Sequence, residues 1–448
     1  MNESKPLAKL IRFARHAAAS ASARKVGGAL VVNVLGAAIA FGLQILLARL
    51  LGVESFGQYI YALTWITLCV LLGKLGLDVT AQRFVPEYEA RANWGLLRGF
   101  IRRGKQATLL AASLLAVIVA LAVVLAGPRI DAQLRDVFLC AALLLPLNAY
   151  LIVQGAYLQG LRRIVAAQAP QVIVRPLLFA AALLIAALLM PLHDAAVIAM
   201  LLNVITALAT IALMIFITRA RIPVEVRGAP PEYQTKQWAK VALPMMGITS
   251  FTLLLNQADV IMVGALLSTT DAGIYSAASR VALLLTFAVT LVNSVTAPMI
   301  SRLCTQGKTA ELQRLLNVVA WGSFAFATPL CLAVMFFGED IMRLFGPQFI
   351  PGTGALLILA AARWINALTG AAGYLMSMSG HERQAAWILG GSVVLNLLLN
   401  ALLIPPYGIE GAAIATLMTT ILGGALMVIY GWKYLGVNSC LSFRFSWT

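Results

Sequence analysis

Most of the chain consists of apolar runs about as long as the 20 residues a helix needs to cross a bilayer, separated by short polar stretches. Twelve runs are read as membrane helices: 29–50, 58–77, 107–126, 136–157, 169–190, 196–218, 242–267, 272–297, 318–337, 353–376, 384–404 and 411–432. No alternation of period two competes with them, so no strand is expected. The longest polar connector, 219–241, carries Arg219, Arg221 and Arg227 with Pro223, Pro230 and Pro231. It separates a first lobe, 29–218, from a second, 242–432, and a basic segment (1–28) and a tail (433–448) flank the two.

The second lobe repeats the first. At an offset of 216 positions Leu266-Leu267 falls on Leu50-Leu51, Gly273 on Gly57, Tyr275 on Tyr59 and Ala278 on Ala62. The same offset places Val295-Thr296-Ala297 on Val79-Thr80-Ala81, and Ala412 on Ala196. Matches at one constant offset point to a duplicated unit. Six spans is an even number, so both copies enter the membrane in the same sense. The expected fold is an all-α polytopic membrane protein with about twelve transmembrane helices. Its two six-helix lobes are expected to be related by a pseudo-two-fold axis along the membrane normal, with a cavity near the midplane.

Composition agrees. Of 448 residues, 61% are hydrophobic and 11% charged, and mean hydropathy is +0.89. A soluble domain carries about 25% charged residues, so a water-facing globule is excluded. The net charge of +16 is read as cytoplasmic loops, not as a nucleic-acid surface. Of the 33 Lys and Arg, 25 fall in the N-terminus, the tail and the alternate loops that share their side; 3 fall in the opposite loops and 5 within spans. Both termini are therefore expected in the cytoplasm. Leu7, Leu10, Ile11 and Ala14 sit at helical spacing among the basic residues of 1–28, which suits an amphipathic helix on the inner leaflet. That segment lacks the cleavage pattern of a signal peptide. A second interfacial helix is expected from Pro86 through Lys105.

Candidate chemistry is confined to a few polar residues inside the spans, where an ionisable group is costly and is by default a functional candidate. Arg363 lies about ten residues into its span, roughly 15 Å deep. Asp259 and Arg280 lie roughly 12 Å from the outer face, where they could pair with each other. Alternatively Asp259 titrates during transport, and Asn256 on the same helix face widens its polar patch. Arg175 lies roughly 9 Å from the cytoplasmic end of its span, beside Pro176. Arg49 and Lys74 near helix ends read as snorkelling anchors, and Asn396 with Asn400 as an interhelical hydrogen-bonding pair. In-span prolines (Pro146, Pro170, Pro176, Pro244, Pro298 and Pro329) are candidate hinges. The five cysteines form no C-x-x-C or Cys/His cluster, and His16, His193 and His381 lie far apart, so neither a metal site, a cofactor nor a catalytic group is expected. There is no P-loop.

Leu47-Ala48-Arg49-Leu50-Leu51-Gly52-Val53-Glu54-Ser55-Phe56-Gly57-Gln58-Tyr59 resembles the signature after the first helix of polysaccharide biosynthesis proteins, the Wzx-type flippases of the multidrug/oligosaccharidyl-lipid/polysaccharide (MOP) exporter superfamily. Asn256-Gln257-Ala258-Asp259 with Gly273-Ile274-Tyr275 is similar to that family's pattern opening the second lobe. Tyr407-Gly408-Ile409-Glu410-Gly411-Ala412-Ala413-Ile414-Ala415 resembles its pattern before the last helices, and the likeness runs over 25–435. Some family members have fourteen spans, so nothing tied to an extra pair is carried over.

The resemblance implies an inner-membrane flippase that moves an undecaprenyl-diphosphate-linked oligosaccharide from the inner to the outer leaflet. It further implies a cationic lumen, coupling to H+ or Na+, and polysaccharide polymerase and chain-length partners besides membrane lipids. On that expectation Arg363, Arg280, Arg175 and Arg49 contact the anionic headgroup, because guanidinium forks suit diphosphate oxygens. Asp259, with Asn256, is the coupling or gating group. The rivals are a cation-coupled drug or metabolite antiporter of the same fold and a polysaccharide polymerase or ligase. An antiporter for cations is expected to place acidic residues in its spans, whereas five basic residues lie there against two acidic ones, Asp259 and, at the very end of its span, Asp136. A polymerase or ligase is expected to carry a long charged outer loop.

Overall fold

The computed structural model describes residues 21–127, 130–189 and 194–440. Most of the segment 1–28, together with Arg129, His193 and the end of the tail, lies outside them, as does the side chain of Pro298. Every described regular element is helical. In chain order these are α1 (Ala21–Gly73), α2 (Leu77–Ala90), α3 (Trp94–Ala126), α4 (Ala132–Gly160), α5 (Ile164–Ala169), a π-helical turn (Pro170–Val174), α6 (Arg175–Leu189) and α7 (Ala195–Arg221). There follow α8 (Val224–Gly228), α9 (Thr235–Leu266), α10 (Thr269–Thr305), α11 (Thr309–Phe345), a 3-10 turn (Pro347–Gly352), α12 (Thr353–Leu368), α13 (Ala372–Met378) and α14 (Glu382–Leu435).

Among the described residues eight helices are long and apolar enough to cross a membrane, or nine if the two pieces of α9 form one bent span. The twelve expected spans are therefore not resolved as twelve separate helices. Two of the eight have the length of two spans. At 1.5 Å per residue, α1 and α14, with 53 and 54 residues, would each reach about 80 Å, against a hydrocarbon core of about 30 Å. Each is broken by one glycine outside helical geometry, Gly52 (φ 74°, ψ 170°) and Gly408 (φ 60°, ψ −141°). Only glycine adopts such angles without a Cβ penalty. The loops expected at 51–57 and 405–410 thus shrink to a single residue each.

The outer surface of α3 explains the hydropathy. Leu110, Leu114, Val117, Leu121 and Leu125 follow each other at helical spacing and are 73%, 62%, 63%, 55% and 76% exposed. An apolar stripe of this kind belongs against lipid, and the protein is a multi-pass membrane protein.

The chain forms two compact units, Met1–Leu46 with Cys69–Gly247, and Leu47–Leu68 with Ile248–Thr448. Segment 47–68 belongs to the first half by repeat and to the second unit by contact. The division into lobes at 29–218 and 242–432 describes the repeat and stays a proposal.

In the first unit an aromatic core gathers Phe84, Tyr88, Phe100, Tyr157 and Trp238, with Phe100 edge-on to Tyr157 and to Trp238 at ring separations of 5.8 and 5.1 Å. The Trp238 indole N–H donates to the Tyr88 hydroxyl at 2.8 Å, which ties the start of α9 to α2. The interfacial helix expected over 86–105 is two pieces. Ala92 adopts φ 54°, Asn93 caps α3, and the chain breaks at 91–93. Lys74, expected to snorkel, instead pairs with Asp78 at 2.6 Å, both side chains being largely buried.

In the second unit Gly57 on α1 comes close to the backbone at the start of α10, and the approach joins residues equivalent in the repeat. A Cβ on Gly57 would stand 2.2 Å from the Thr269 carbonyl oxygen, and one on Gly273 would stand 2.7 Å from the Gly57 Cα. Small residues permit such helix crossings. Phe56 lies beside them and packs edge-on against Phe349 at 5.5 Å. Because backbone cannot yield as a side chain does, Gly57→Ala is expected to cost about 1–3 kcal/mol through overpacking. It should therefore lower the melting temperature of the purified protein. Gly42→Ala, where an added Cβ meets nothing within 4 Å, should not.

Candidate functional site

Asp259 lies on α9, 6% exposed, and is the centre of the second unit's polar chemistry. Three buried donors reach it. The Asn400 amide donates to Oδ1 at 2.7 Å, the Tyr275 hydroxyl donates to Oδ2 at 2.8 Å, and the Thr416 hydroxyl also donates to Oδ2. Asn400 also donates to the Asn396 Oδ1 at 3.1 Å, one turn back on its own helix, so of the expected interhelical pair Asn400 is the member that bonds across helices, to the carboxylate. Asp259, Tyr275, Asn400 and Thr416 come from α9, α10 and the two halves of α14 on either side of Gly408. One carboxylate therefore holds together four helical segments. Buried polar groups of this kind persist when each finds a partner.

Arg363 on α12 belongs to the same neighbourhood, and its charge interacts electrostatically with Asp259 and Tyr275. It makes no ion pair with Asp259, however, and its Nε is buried without a hydrogen-bond partner among the described residues. A guanidinium carries five donors in a planar fork, so here one buried donor of the fork remains unmet. Arg280, on α10, is exposed, and none of the contacts of Asp259 is to it. The pairing of Asp259 with Arg280 does not form, because tyrosine, asparagine and threonine already occupy the carboxylate.

Asn256 does not join this cluster. Its side chain is exposed and its amide donates to the Thr252 carbonyl at 2.8 Å, one turn back on its own helix. Arg49 is placed elsewhere too. Its Nε donates to the Leu344 carbonyl at 2.6 Å and its Nη2 to the Arg343 carbonyl at 3.4 Å. These are among the last carbonyls of α11, which lack intrahelical partners, and a cation there also meets the negative end of the helix dipole.

Arg175 belongs to the first unit. The π-helical turn Pro170–Val174 delivers it to the start of α6, and such wide turns recur at functional positions. Its Nη1 donates to the Asn148 Oδ1 at 2.7 Å and its Nη2 to the Asn203 Oδ1 at 2.9 Å. These two neutral acceptors fix the direction of the guanidinium. Asn148→Leu removes one of these acceptors and is expected to cost about 1.5–3 kcal/mol of stability, read as a lower melting temperature of the purified protein.

Thr416, Asn148 and Asn203 were not singled out from the sequence, and Tyr275 only as part of a motif. Among the described residues no three His, Cys, Asp or Glu side chains gather as a metal would require.

Residues 22–304 match the model of the family described as polysaccharide biosynthesis protein, and residues 244–402 match the MatE model. Two curated relatives come from Haloferax volcanii. One, a probable low-salt glycan biosynthesis flippase (Agl15), is 26% identical over 42% of this chain and 39% of its own. The other, the probable flippase AglR, is 29% identical over 38% of this chain and 36% of its own. The match thus spans less than half the length of either relative. Among solved structures, an inward-facing multidrug resistance MATE family transporter of the MOP superfamily aligns with a TM-score of 0.70 at 12% identity, over 88% of this chain and 94% of that one. The lipid II flippase MurJ, in an inward closed conformation, aligns with a TM-score of 0.70 at 14% identity, over 90% of this chain and 86% of that one. These likenesses establish the fold, and the match over 22–304 establishes the family: the chain belongs to the polysaccharide biosynthesis protein family and shares the fold of the MATE transporter and of MurJ.

Proposed function

We propose that this protein is a flippase that carries a lipid-diphosphate-linked oligosaccharide from the inner to the outer leaflet of the cytoplasmic membrane by alternating access. The observation that supports this reading most strongly is Arg363, a half-buried in-span arginine whose buried Nε has no hydrogen-bond partner among the described residues, near a carboxylate that already accepts three hydrogen bonds. A cation held in that condition suits a ligand that brings its own anionic oxygens. Arg280, in the same unit, and Arg175, taken by itself in the first unit, are further candidate contacts for anionic groups of the substrate, while the helix-capping contacts of Arg49 give it a structural part. Asp259 is the coupling group, because its loss or gain of charge acts at once on α9, α10 and both halves of α14. H+ or Na+ is the coupling ion in this reading, and a polymerase and a chain-length protein receive the product.

The MatE match over 244–402 favours a second reading, a cation-coupled drug or metabolite antiporter. Deleting the protein separates the two. The flippase reading predicts lipid-linked oligosaccharide accumulating on the cytoplasmic leaflet, relieved by the wild-type protein and not by Arg363→Ala. Intact surface polysaccharide without accumulation would put the antiporter first.

A further inference from the structure

A lateral groove in the first unit joins basic and apolar walls that transport of a headgroup does not use. Its volume is about 540 Å³, within the range of small-molecule sites. Arg162, Arg163 and Arg221 line one part of it, and Val174, Leu213 and Phe216 line the apolar part, with no carboxylate anywhere on its wall. The three arginines are exposed, and no ion pair among the described residues engages them. Phe216 is 72% exposed, so a large aromatic ring in this wall is uncovered by protein.

The basic edge is built into the backbone. Between α4 and α5 the chain turns within three residues, and Arg162 holds φ 57°, a left-handed conformation unusual for an arginine. The Arg162 N–H donates to the Gln159 carbonyl and the Arg163 N–H to the Leu158 carbonyl, each at 2.9 Å. That turn sets two adjacent guanidinium groups at the mouth of the groove, and α7 ends on the third, Arg221. The arginines fall in 158–168 and 219–241, the loops that the distribution of Lys and Arg places on the cytoplasmic side.

We infer that this groove is a binding site for an anionic phospholipid of the inner leaflet, one whose headgroup carries two phosphates, of the cardiolipin class. Three positive charges without a counter-charge match a dianionic headgroup better than a zwitterionic one, and the apolar wall directly beneath receives an acyl chain. Basic pockets between membrane helices on the cytoplasmic side bind such lipids. The groove wall also includes Pro170 and Val174, the ends of the π-helical turn that delivers Arg175, so an occupant would lie against the element that positions that residue.

Native mass spectrometry on the purified full chain in detergent tests the assignment, with cardiolipin, phosphatidylcholine and undecaprenyl diphosphate added separately and in competition. Cardiolipin should be retained and phosphatidylcholine should not. At about 1 kcal/mol per arginine near a membrane surface, each of Arg162→Gln, Arg163→Gln and Arg221→Gln should weaken cardiolipin about fivefold, and the triple variant about a hundredfold. Arg343→Gln, outside the groove, should leave it unchanged. If the triple variant does not fold, the three single variants carry the measurement. Equal cardiolipin affinity in wild type and in the arginine variants would overturn the site. Undecaprenyl diphosphate displacing cardiolipin in an arginine-dependent way would overturn the choice of a resident phospholipid.

Discussion

Arg363→Ala is expected to abolish export while the protein inserts at its normal level. Among the described residues the side chain makes no ion pair and its Nε no hydrogen bond, so truncation breaks neither. Its contribution falls on the bound state. A hydrogen bond to a charged partner contributes about 1.5–3 kcal/mol, and a forked contact to a diphosphate makes two. The expected loss is therefore roughly a hundredfold or more in transport, since each 1.4 kcal/mol is a factor of ten. Arg363→Lys should recover part of it, because an ammonium restores the charge but not the planar fork. Lipid-linked oligosaccharide on the cytoplasmic leaflet, normalised to the amount of inserted protein, reads the effect. Export by Arg363→Ala equal to wild type would remove the residue from the path.

Asp259→Ala should have the largest effect on stability. It strips the acceptor from Tyr275, Asn400 and Thr416, which are 1%, 0% and 9% exposed. Each buried group left unsatisfied costs about 1–3 kcal/mol, so the melting temperature should fall by several degrees or more. Asp259→Asn behaves differently. Its Oδ1 can still accept from Asn400, and its amide can donate to the Tyr275 and Thr416 oxygens once those hydroxyls turn. Most of the stability should remain while the charge is gone. A protein that keeps its melting temperature yet loses dependence on an imposed H+ or Na+ gradient is the expected outcome. Asp259→Asn that transports with an unchanged gradient dependence would show the carboxylate to be a structural tie only.

The helices were legible because a span imposes a length and a composition that nothing else in the chain shares. The second-lobe site was legible where its residues are expensive: an arginine or aspartate inside an apolar run cannot be there by default. Thr416 carries no such mark. A threonine beside Ala413, Ile414 and Ala415 costs little in a helix, and only the return of α14 past Gly408 brings it to Asp259. Asn148 and Asn203 escaped for the same reason, since a neutral amide is tolerated wherever a neighbour can bond it. Arg49 was read by depth alone, whereas its partners are carbonyls some 294 residues along, which no local pattern encodes. Asn256 shares a helix face with Asp259 by spacing, yet its amide bonds back to Thr252 within its own helix. Spacing gives the face of a helix; the surrounding helices decide which residues on it meet.

In the proposed function this chain moves a lipid-diphosphate-linked oligosaccharide across a bilayer. The most direct test reconstitutes the wild-type protein and Arg363→Ala in vesicles loaded with such a lipid on one leaflet, and follows its exposure to a glycosidase on the other. Transfer by wild type well above protein-free vesicles, and near that baseline for Arg363→Ala, is the predicted result. Transfer at the protein-free rate by a wild-type protein that is folded, inserted and supplied with a gradient would contradict the account.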